Sequence, residues 1–175
     1  MFGLEGSLNE ALRWQTLAVE IEPDNPRLWA ELAELHLRCD EPGECVECRR
    51  RILELGPADR VGALINLGWA LQEDGRPYEA IEQYLIARDI RPGSAPVHFV
   101  LGGAYEEQGR MAEAESELRE AIRSQPRFPI AYSRLATLLR KNLPDDDFHF
   151  RLQPPHAFSS AAPCIVTQVP GRCHA

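Results

Sequence analysis

Apolar residues recur at helical spacing in residues 61–94, where the chain reads VGALINLGWALQEDGRPYEAIEQYLIARDIRPGS. Spacings of three and four residues place such positions on one face of a helix. In this stretch they are Leu64, Leu67 and Leu71, and then Ile81, Tyr84 and Leu85. Gly75 supplies a turn between the two runs, and Pro92 ends the second because it lacks an N–H and its ring clashes with the preceding turn. The stretch therefore predicts a hairpin of two amphipathic helices.

The same pattern returns on both sides of this hairpin. Each apolar helical stretch ends at a proline, and these prolines are 34, 35 and 34 residues apart: Pro23, Pro57, Pro92 and Pro126. A constant period of this length predicts an array in which each hairpin packs against its neighbours.

Residues at fixed positions of this period resemble the tetratricopeptide repeat (TPR) family. The residues that match its pattern in the best-formed repeat are Leu64, Leu67-Gly68, Leu71, Gly75, Ala80, Tyr84, Ala87 and Pro92. In the next repeat they are His98, Leu101-Gly102, Tyr105, Gly109, Ala114, Leu118, Ala121 and Pro126. The preceding repeat is more degenerate, with Trp29, Leu32-Ala33, His36, Asp40, Cys45, Arg49, Ile52 and Pro57. The resemblance implies an all-α, TPR-type helix-turn-helix solenoid that forms a right-handed superhelix.

The repeat register predicts the organisation of the chain. Residues 1–141 form the array: a partial repeat over 1–25, full repeats over 26–60, 61–94 and 95–128, and a final helix over 129–141. In the partial repeat we expect one helix over 8–21 with Ser7 as its N-cap. Its apolar flank, around Leu12, Leu17 and Val19, lacks a partner helix, so we expect possible homo-oligomers through this incomplete repeat.

From residue 142 the helical period stops, and prolines interrupt small polar residues. We expect residues 142–175 to be a disordered or loosely ordered tail. Residues 135–147, LATLLRKNLPDDD, also resemble the segment after the array in bacterial TPR–sulfotransferase fusion proteins. One hypothesis is therefore that the chain is a truncated or frame-shifted piece of a longer TPR protein.

Charge narrows the range of partners. The net charge is −8, with 27 acidic and 19 basic residues, whereas nucleic acids and anionic membranes select a basic surface. The chain shows no signal peptide and no apolar run long enough to span a bilayer. We expect a cytoplasmic protein with reduced cysteines, a protein or peptide partner, and no binding to nucleic acid or membrane.

The resemblance implies a binding groove on the concave face, lined by the first helix of each repeat. The candidate residues are Ile65, Trp69, Gln72, Phe99, Gly103, Glu106, Arg134, Arg140 and Lys141. Ile65, Trp69 and Phe99 would form an apolar centre, with the three basic residues offering charge to an acidic flank. The alternative is that Trp69 only packs against the neighbouring helix.

One familiar TPR ligand is excluded by the same positions. Chaperone-binding TPR domains hold a C-terminal carboxylate with Lys, Asn and Arg side chains in the groove. The matching residues in this chain are Ala30, Glu34, Asn66, Pro96 and Val100, of which only the asparagine is kept.

Four side chains around one turn form a low-probability zinc candidate: His36, Cys39, Cys45 and Cys48. Cys45, however, occupies a small core position of the repeat, where a cysteine behaves as a small hydrophobe. A thiol-based redox role is a further alternative, without a thioredoxin-like context.

Phosphate-loop, dinucleotide, zinc-protease and serine-hydrolase motifs are missing from the sequence. We therefore expect no enzyme activity and no cofactor. The favoured function is a protein–protein interaction scaffold that binds a peptide or protein in its concave groove. The alternative is a truncated, non-catalytic TPR segment of a sulfotransferase- or glycosyltransferase-type fusion protein.

Overall fold

The computed structural model describes the backbone of residues 2–142 and the side chains of residues 7–141. Regular structure in this part of the chain consists of helices alone. Their bounds are α1 Phe2–Ile21, α2 Pro26–Arg38, α3 Pro42–Glu54, α4 Arg60–Glu73, α5 Pro77–Ile90, α6 Ala95–Glu107, α7 Met111–Ser124 and α8 Pro129–Asn142. The predicted all-α class is confirmed. The predicted tail beyond residue 142 lies outside the described residues.

The helices stack in chain order. The most extensive contacts lie within the pairs α2–α3, α4–α5 and α6–α7, and smaller contacts join each pair to the next. Helix α1 packs on α2, and α8 packs on α7. The hydrophobic core is one continuous cluster that runs from Val19 in α1 to Leu139 in α8. This is the architecture of a helical solenoid, in which each unit is stabilised by its neighbours.

Left-handed turns end the first helix of each pair. Gly75 has φ 74° and Gly109 has φ 73°, as the sequence predicts. After α4 the Arg76 N–H donates to the Leu71 carbonyl at 2.8 Å, and the Gly75 N–H donates to the Gln72 carbonyl at 3.0 Å. This is the Schellman motif, which satisfies carbonyl groups that the helix leaves unpaired.

Small residues let the two helices of a pair approach closely. A Cβ atom added at Gly68 would lie 2.2 Å from Cε1 of Tyr84, whose ring packs directly on the α4 backbone. Ala80 and Ala87 on α5 are fully buried on the same side of the pair. These three small residues therefore pack the two helices of the pair against each other.

A recurrent hydrogen bond holds the loop that precedes three of the helices. The Trp29 indole N–H donates to the Pro23 carbonyl at 2.7 Å, and the Tyr132 hydroxyl donates to the Pro126 carbonyl at 3.2 Å. His98 Nε2 lies 2.7 Å from the Pro92 carbonyl oxygen. These three residues occupy the same repeat position, which is Leu64 in α4. The sequence analysis did not predict this bond, because the position is usually treated as a packing site.

The N-terminal helix differs from its prediction in two respects. It begins at Phe2, so Ser7 lies inside the helix and is not its N-cap. The helix extends over residues 2–7 because none of the residues before Pro23 is a proline, which would interrupt it.

The exposed flank of α1 also differs from its prediction. Val19 is only 4% exposed and Leu12 packs against the core, because both face α2. Within residues 7–21, the large apolar side chains that α1 leaves exposed are Trp14, Leu17 and Ile21. No helix within residues 2–142 combines the length and apolar character needed to cross a membrane.

Candidate functional site

A groove of about 770 Å³ opens between helices α2, α4, α6 and α8, with one contribution from α3. The first helices of successive pairs form its walls, so residues one repeat apart lie side by side along it. Its lining residues are Glu34, Leu37, Arg49, Asn66, Trp69, Ala70, Gln72, Glu73, Phe99, Val100, Gly103, Ala104, Glu107 and Arg134.

Trp69 is the largest apolar side chain in this groove and is 56% exposed. The next residue of α4, Ala70, is buried and faces the core. Ile65, one turn before Trp69, is half-buried, packs against the core and does not line the groove. The apolar surface of the groove therefore centres on Trp69 and Phe99.

Phe99 is held between an aromatic ring and a guanidinium group. Its ring meets that of Phe128 edge to face, with the centroids 5.4 Å apart. The Arg134 guanidinium carbon lies 5.5 Å from the centroid of the Phe99 ring, within the range of a cation–π contact. Arg134 reaches this place because Gly103 has no side chain: an added Cβ would lie 2.7 Å from the Arg134 Nη1.

An ion cluster at one end of the groove engages two of the predicted basic residues. Arg134 Nε lies 3.1 Å from Glu106 Oε2, and Lys141 Nζ lies 2.8 Å from Glu106 Oε1. Burial opposes ionisation of Glu106, but the bonds from Lys141 and Arg134 outweigh it and hold the pKa of the carboxyl below its usual value. Arg140 is exposed and has no ion pair within residues 7–141. Arg134 and Lys141 therefore already share a carboxylate of the chain.

A hydrogen-bond chain connects the core to the groove wall. The Tyr84 hydroxyl donates to Gln72 Oε1 at 2.6 Å, and Gln72 Nε2 donates to Glu107 Oε2 at 2.5 Å. Burial, and then the negative charge of Glu107, raises the pKa of the Tyr84 hydroxyl. Tyr84 therefore remains a donor, and the bonds at both ends fix the orientation of the Gln72 amide.

Arg49 is a lining residue from the second helix of a pair, a position that the sequence analysis did not consider. It lies on α3, at the repeat position that Tyr84 occupies on α5, and its side chain also reaches the groove. The sequence signal that could have identified Arg49 is that an arginine stands where the repeat usually has an aromatic residue. A long side chain can bury its stem there and still carry its charge to the surface.

The four zinc candidates do not form a metal site. Cys45 and Cys48 are buried, and His36 Nδ1 lies 2.8 Å from Glu41 Oε2. Burial, with smaller effects from Cys45 and Glu44, raises the pKa of the Cys48 thiol to about 11. Within the described residues no group of three or more His, Cys, Asp and Glu side chains is placed to hold a metal ion. Cys45 occupies its core position fully buried, as the repeat pattern predicts.

Comparison with known proteins supports the repeat assignment. A family model described as "Tetratricopeptide repeat" matches residues 65–129. The human Protein O-mannosyl-transferase TMTC3 is 34% identical over 126 residues, which is 69% of this chain and 14% of that protein. This chain therefore spans about one seventh of that relative.

Solved structures with the same fold include two of MamA. A crystal structure of MamA has a TM-score of 0.67 and 19% identity, covering 84% of this chain and 85% of that chain. The structure "MamA MSR-1 C2" has a TM-score of 0.58 and 24% identity, covering 70% of each chain. At these identities the likeness concerns the fold. Residues 65–129 match the tetratricopeptide repeat family, and the helix pairs and the shared fold agree with that match.

Proposed function

We propose that this chain is a protein-interaction scaffold whose groove binds a peptide or an extended segment of a partner protein. The observation that carries the proposal is Trp69, which is more than half exposed within a groove of about 770 Å³. Aromatic side chains supply much of the affinity in such sites, because they bury a large area at a small entropic cost.

The rest of the groove supports binding without chemistry. Its lining includes no Ser, Thr, Cys or His, so it offers no hydroxyl or thiol nucleophile and no imidazole base; its acidic groups are Glu34, Glu73 and Glu107. Backbone and polar groups at its rim, such as those of Asn66 and Gln72, can bond to a peptide main chain. The acidic net charge supports a protein partner over a nucleic acid or an anionic membrane.

The test is affinity capture from the native cell extract with the wild-type chain and the Trp69→Ala variant. We expect the variant to keep its helix content and to lose most of the captured partner, since an aromatic hot spot contributes about 2 kcal/mol or more. Circular dichroism measures the helix content, and mass spectrometry quantifies the partner.

Tyr78→Ala is the matched control, because Tyr78 is an exposed aromatic residue on α5 that does not line the groove. Its capture should equal that of the wild type. Equal capture by Trp69→Ala and wild type would place the binding surface elsewhere.

A second candidate function rests on the match to the human O-mannosyl-transferase. In this alternative the chain is a non-catalytic TPR segment of a longer sulfotransferase- or glycosyltransferase-type protein. Sequencing the full transcript and its other reading frames tests it. A transferase frame that continues the repeat array supports this candidate, whereas the absence of such a frame removes it.

A further inference from the structure

Three carboxylates and two guanidinium groups line the groove around Trp69, so its lining has an excess of negative charge. Glu34 and Glu73 line the groove and make no ion pair or hydrogen bond within residues 7–141. Glu107 bonds to the neutral amide of Gln72, and its Oε1 lies 4.0 Å from Arg134 Nη2. By contrast, Arg134 is already bonded to Glu106 at 3.1 Å. Arg49, the other guanidinium group in the lining, makes no ion pair within residues 7–141.

Repeat geometry places two of these carboxylates next to the indole. Trp69 and Glu73 are four residues apart on α4, so their side chains share one helix face. Glu34 precedes Trp69 by 35 residues, which is the length of the repeat over 26–60. Glu34 therefore lies beside Trp69, on the neighbouring helix α2. Both side chains and the indole line the same groove.

We propose that the segment bound in the groove carries a basic residue, Arg or Lys, whose charged group lies against the Trp69 indole between Glu34 and Glu73. This inference rests on the proposed function and specifies its partner as a basic peptide. Tryptophan has the strongest cation–π attraction of the aromatic side chains, and two nearby carboxylates add to it. An aliphatic stem of the same residue would also cover the indole.

An acidic segment fits the groove less well. The sequence suggested that Arg134, Arg140 and Lys141 would attract an acidic flank. Glu106 already bonds to both Arg134 and Lys141, so an incoming carboxylate would have to compete with an existing ion cluster. It would also approach the carboxylates of Glu34, Glu73 and Glu107.

The experiment uses three fluorescein-labelled peptides of about twelve residues, a length suited to a peptide groove. They share the same apolar residues and differ at two central positions, which are Arg, Gln or Glu. Fluorescence anisotropy measures their Kd for the full chain at low and at physiological salt. We expect the Arg peptide to bind about tenfold more tightly than the Gln peptide, with the Glu peptide weakest. Salt should reduce the difference, because it screens exposed charges.

Variants test whether the preference for the Arg peptide depends on Glu34, Glu73 and Trp69. The double variant Glu34→Gln, Glu73→Gln should reduce the preference for the Arg peptide over the Gln peptide from about tenfold to about twofold, since it removes the attraction of the two carboxylates and leaves the cation–π contact with Trp69. Glu82→Gln, an exposed glutamate of α5 outside the groove, should keep the wild-type preference. Trp69→Ala should weaken binding of the Arg peptide about thirtyfold or more.

The outcomes separate this inference from the proposed function. Binding that depends on Trp69 but shows no preference for Arg, or a preference for Glu, overturns the basic partner and leaves the groove as a peptide site. If no peptide binds in a Trp69-dependent manner, both proposals fail. An Arg preference that is undiminished in the double variant also overturns the role of Glu34 and Glu73.

Discussion

Asp40 is a non-glycine residue in a left-handed turn, with φ 60°. It follows α2 at the position that Gly75 and Gly109 occupy after α4 and α6. Its turn has the same hydrogen bond as the other two, from the Glu41 N–H to the His36 carbonyl at 2.9 Å. An L-residue pays a steric cost in this conformation that glycine avoids, although aspartate tolerates it better than most.

Asp40→Gly should therefore raise the free energy of unfolding by about 0.5–1 kcal/mol, after allowance for the greater freedom of glycine in the unfolded chain. Asp40 is exposed and makes no side-chain hydrogen bond within residues 7–141, so little is lost in exchange. Urea unfolding followed by circular dichroism measures the change. The same substitution inside a helix, Asp89→Gly in α5, should instead lower stability. A loss of stability in Asp40→Gly would show that the turn does not strain its aspartate.

At the scale of elements, the junction between α6 and α8 depends on charge as well as apolar packing. Gly103 lets Arg134 lie across α6, and Glu106 then receives bonds from both Arg134 and Lys141. A second junction uses Glu117 of α7, which lies 2.6 Å from His98 Nδ1 on α6 and 3.3 Å from Arg88 Nη1 on α5. Such bonds fix how consecutive helices are oriented, which apolar contacts alone specify less strictly.

The lowered pKa of Glu106 gives the α6–α8 junction a pH dependence. A carboxyl group whose pKa is lower in the folded state stabilises the fold fully above its unfolded pKa, about 4.3, and loses this contribution as pH falls through the folded pKa. Glu106→Gln should thus cost about 1–2 kcal/mol at pH 7 and much less in acid, where the wild-type carboxyl is protonated.

Urea unfolding of wild type and Glu106→Gln at neutral and acidic pH measures this difference. Comparison with the variant is needed because the pKa values of the half-buried Glu79 and the exposed Glu113 are also lowered by hydrogen bonds. Glu82→Gln is the control for removal of an exposed carboxylate, since Glu82 has no partner within residues 7–141, and it should change stability little at neutral pH. A cost of Glu106→Gln that is the same at both pH values would contradict the ionic role of Glu106.

At the scale of the whole molecule, two of the exposed apolar surfaces within residues 7–141 are candidates for binding. One is the groove around Trp69. The other is the stripe of Trp14, Leu17 and Ile21, which follow one another at spacings of three and four residues on α1. Such a stripe is a common origin of association between copies. Self-association through the N-terminal part of the array, expected from the sequence, stays a prediction with this stripe as its surface.

Leu17→Ser with Ile21→Ser should therefore shift any dimer toward monomer, because it removes apolar area from the contact. Size-exclusion chromatography with light scattering, at two concentrations about tenfold apart, measures the mass. Ile90→Ser, a change at an exposed isoleucine of α5, is the control and should leave the mass unchanged. A wild-type chain with the mass of a monomer at both concentrations would remove this surface from consideration.

The sequence by itself determined the repeat, the helices and the turns. Local backbone conformation explains the roles of Gly75, Gly109 and Pro77. A packing position that recurs with the repeat period explains those of Gly68 and Cys45. The place of each residue in the repeat was therefore enough to predict its role. Tertiary structure decided how the side chains of different helices pair. The bonds of Glu106 to Arg134 and Lys141, and the reach of Arg49 into the groove, depend on distances between helices that no local pattern specifies. Because of those distances, Arg134 and Lys141, which the sequence analysis had assigned to a ligand, bind Glu106 instead. Glu34 and Glu73, which line the groove with Trp69, make no ion pair within residues 7–141.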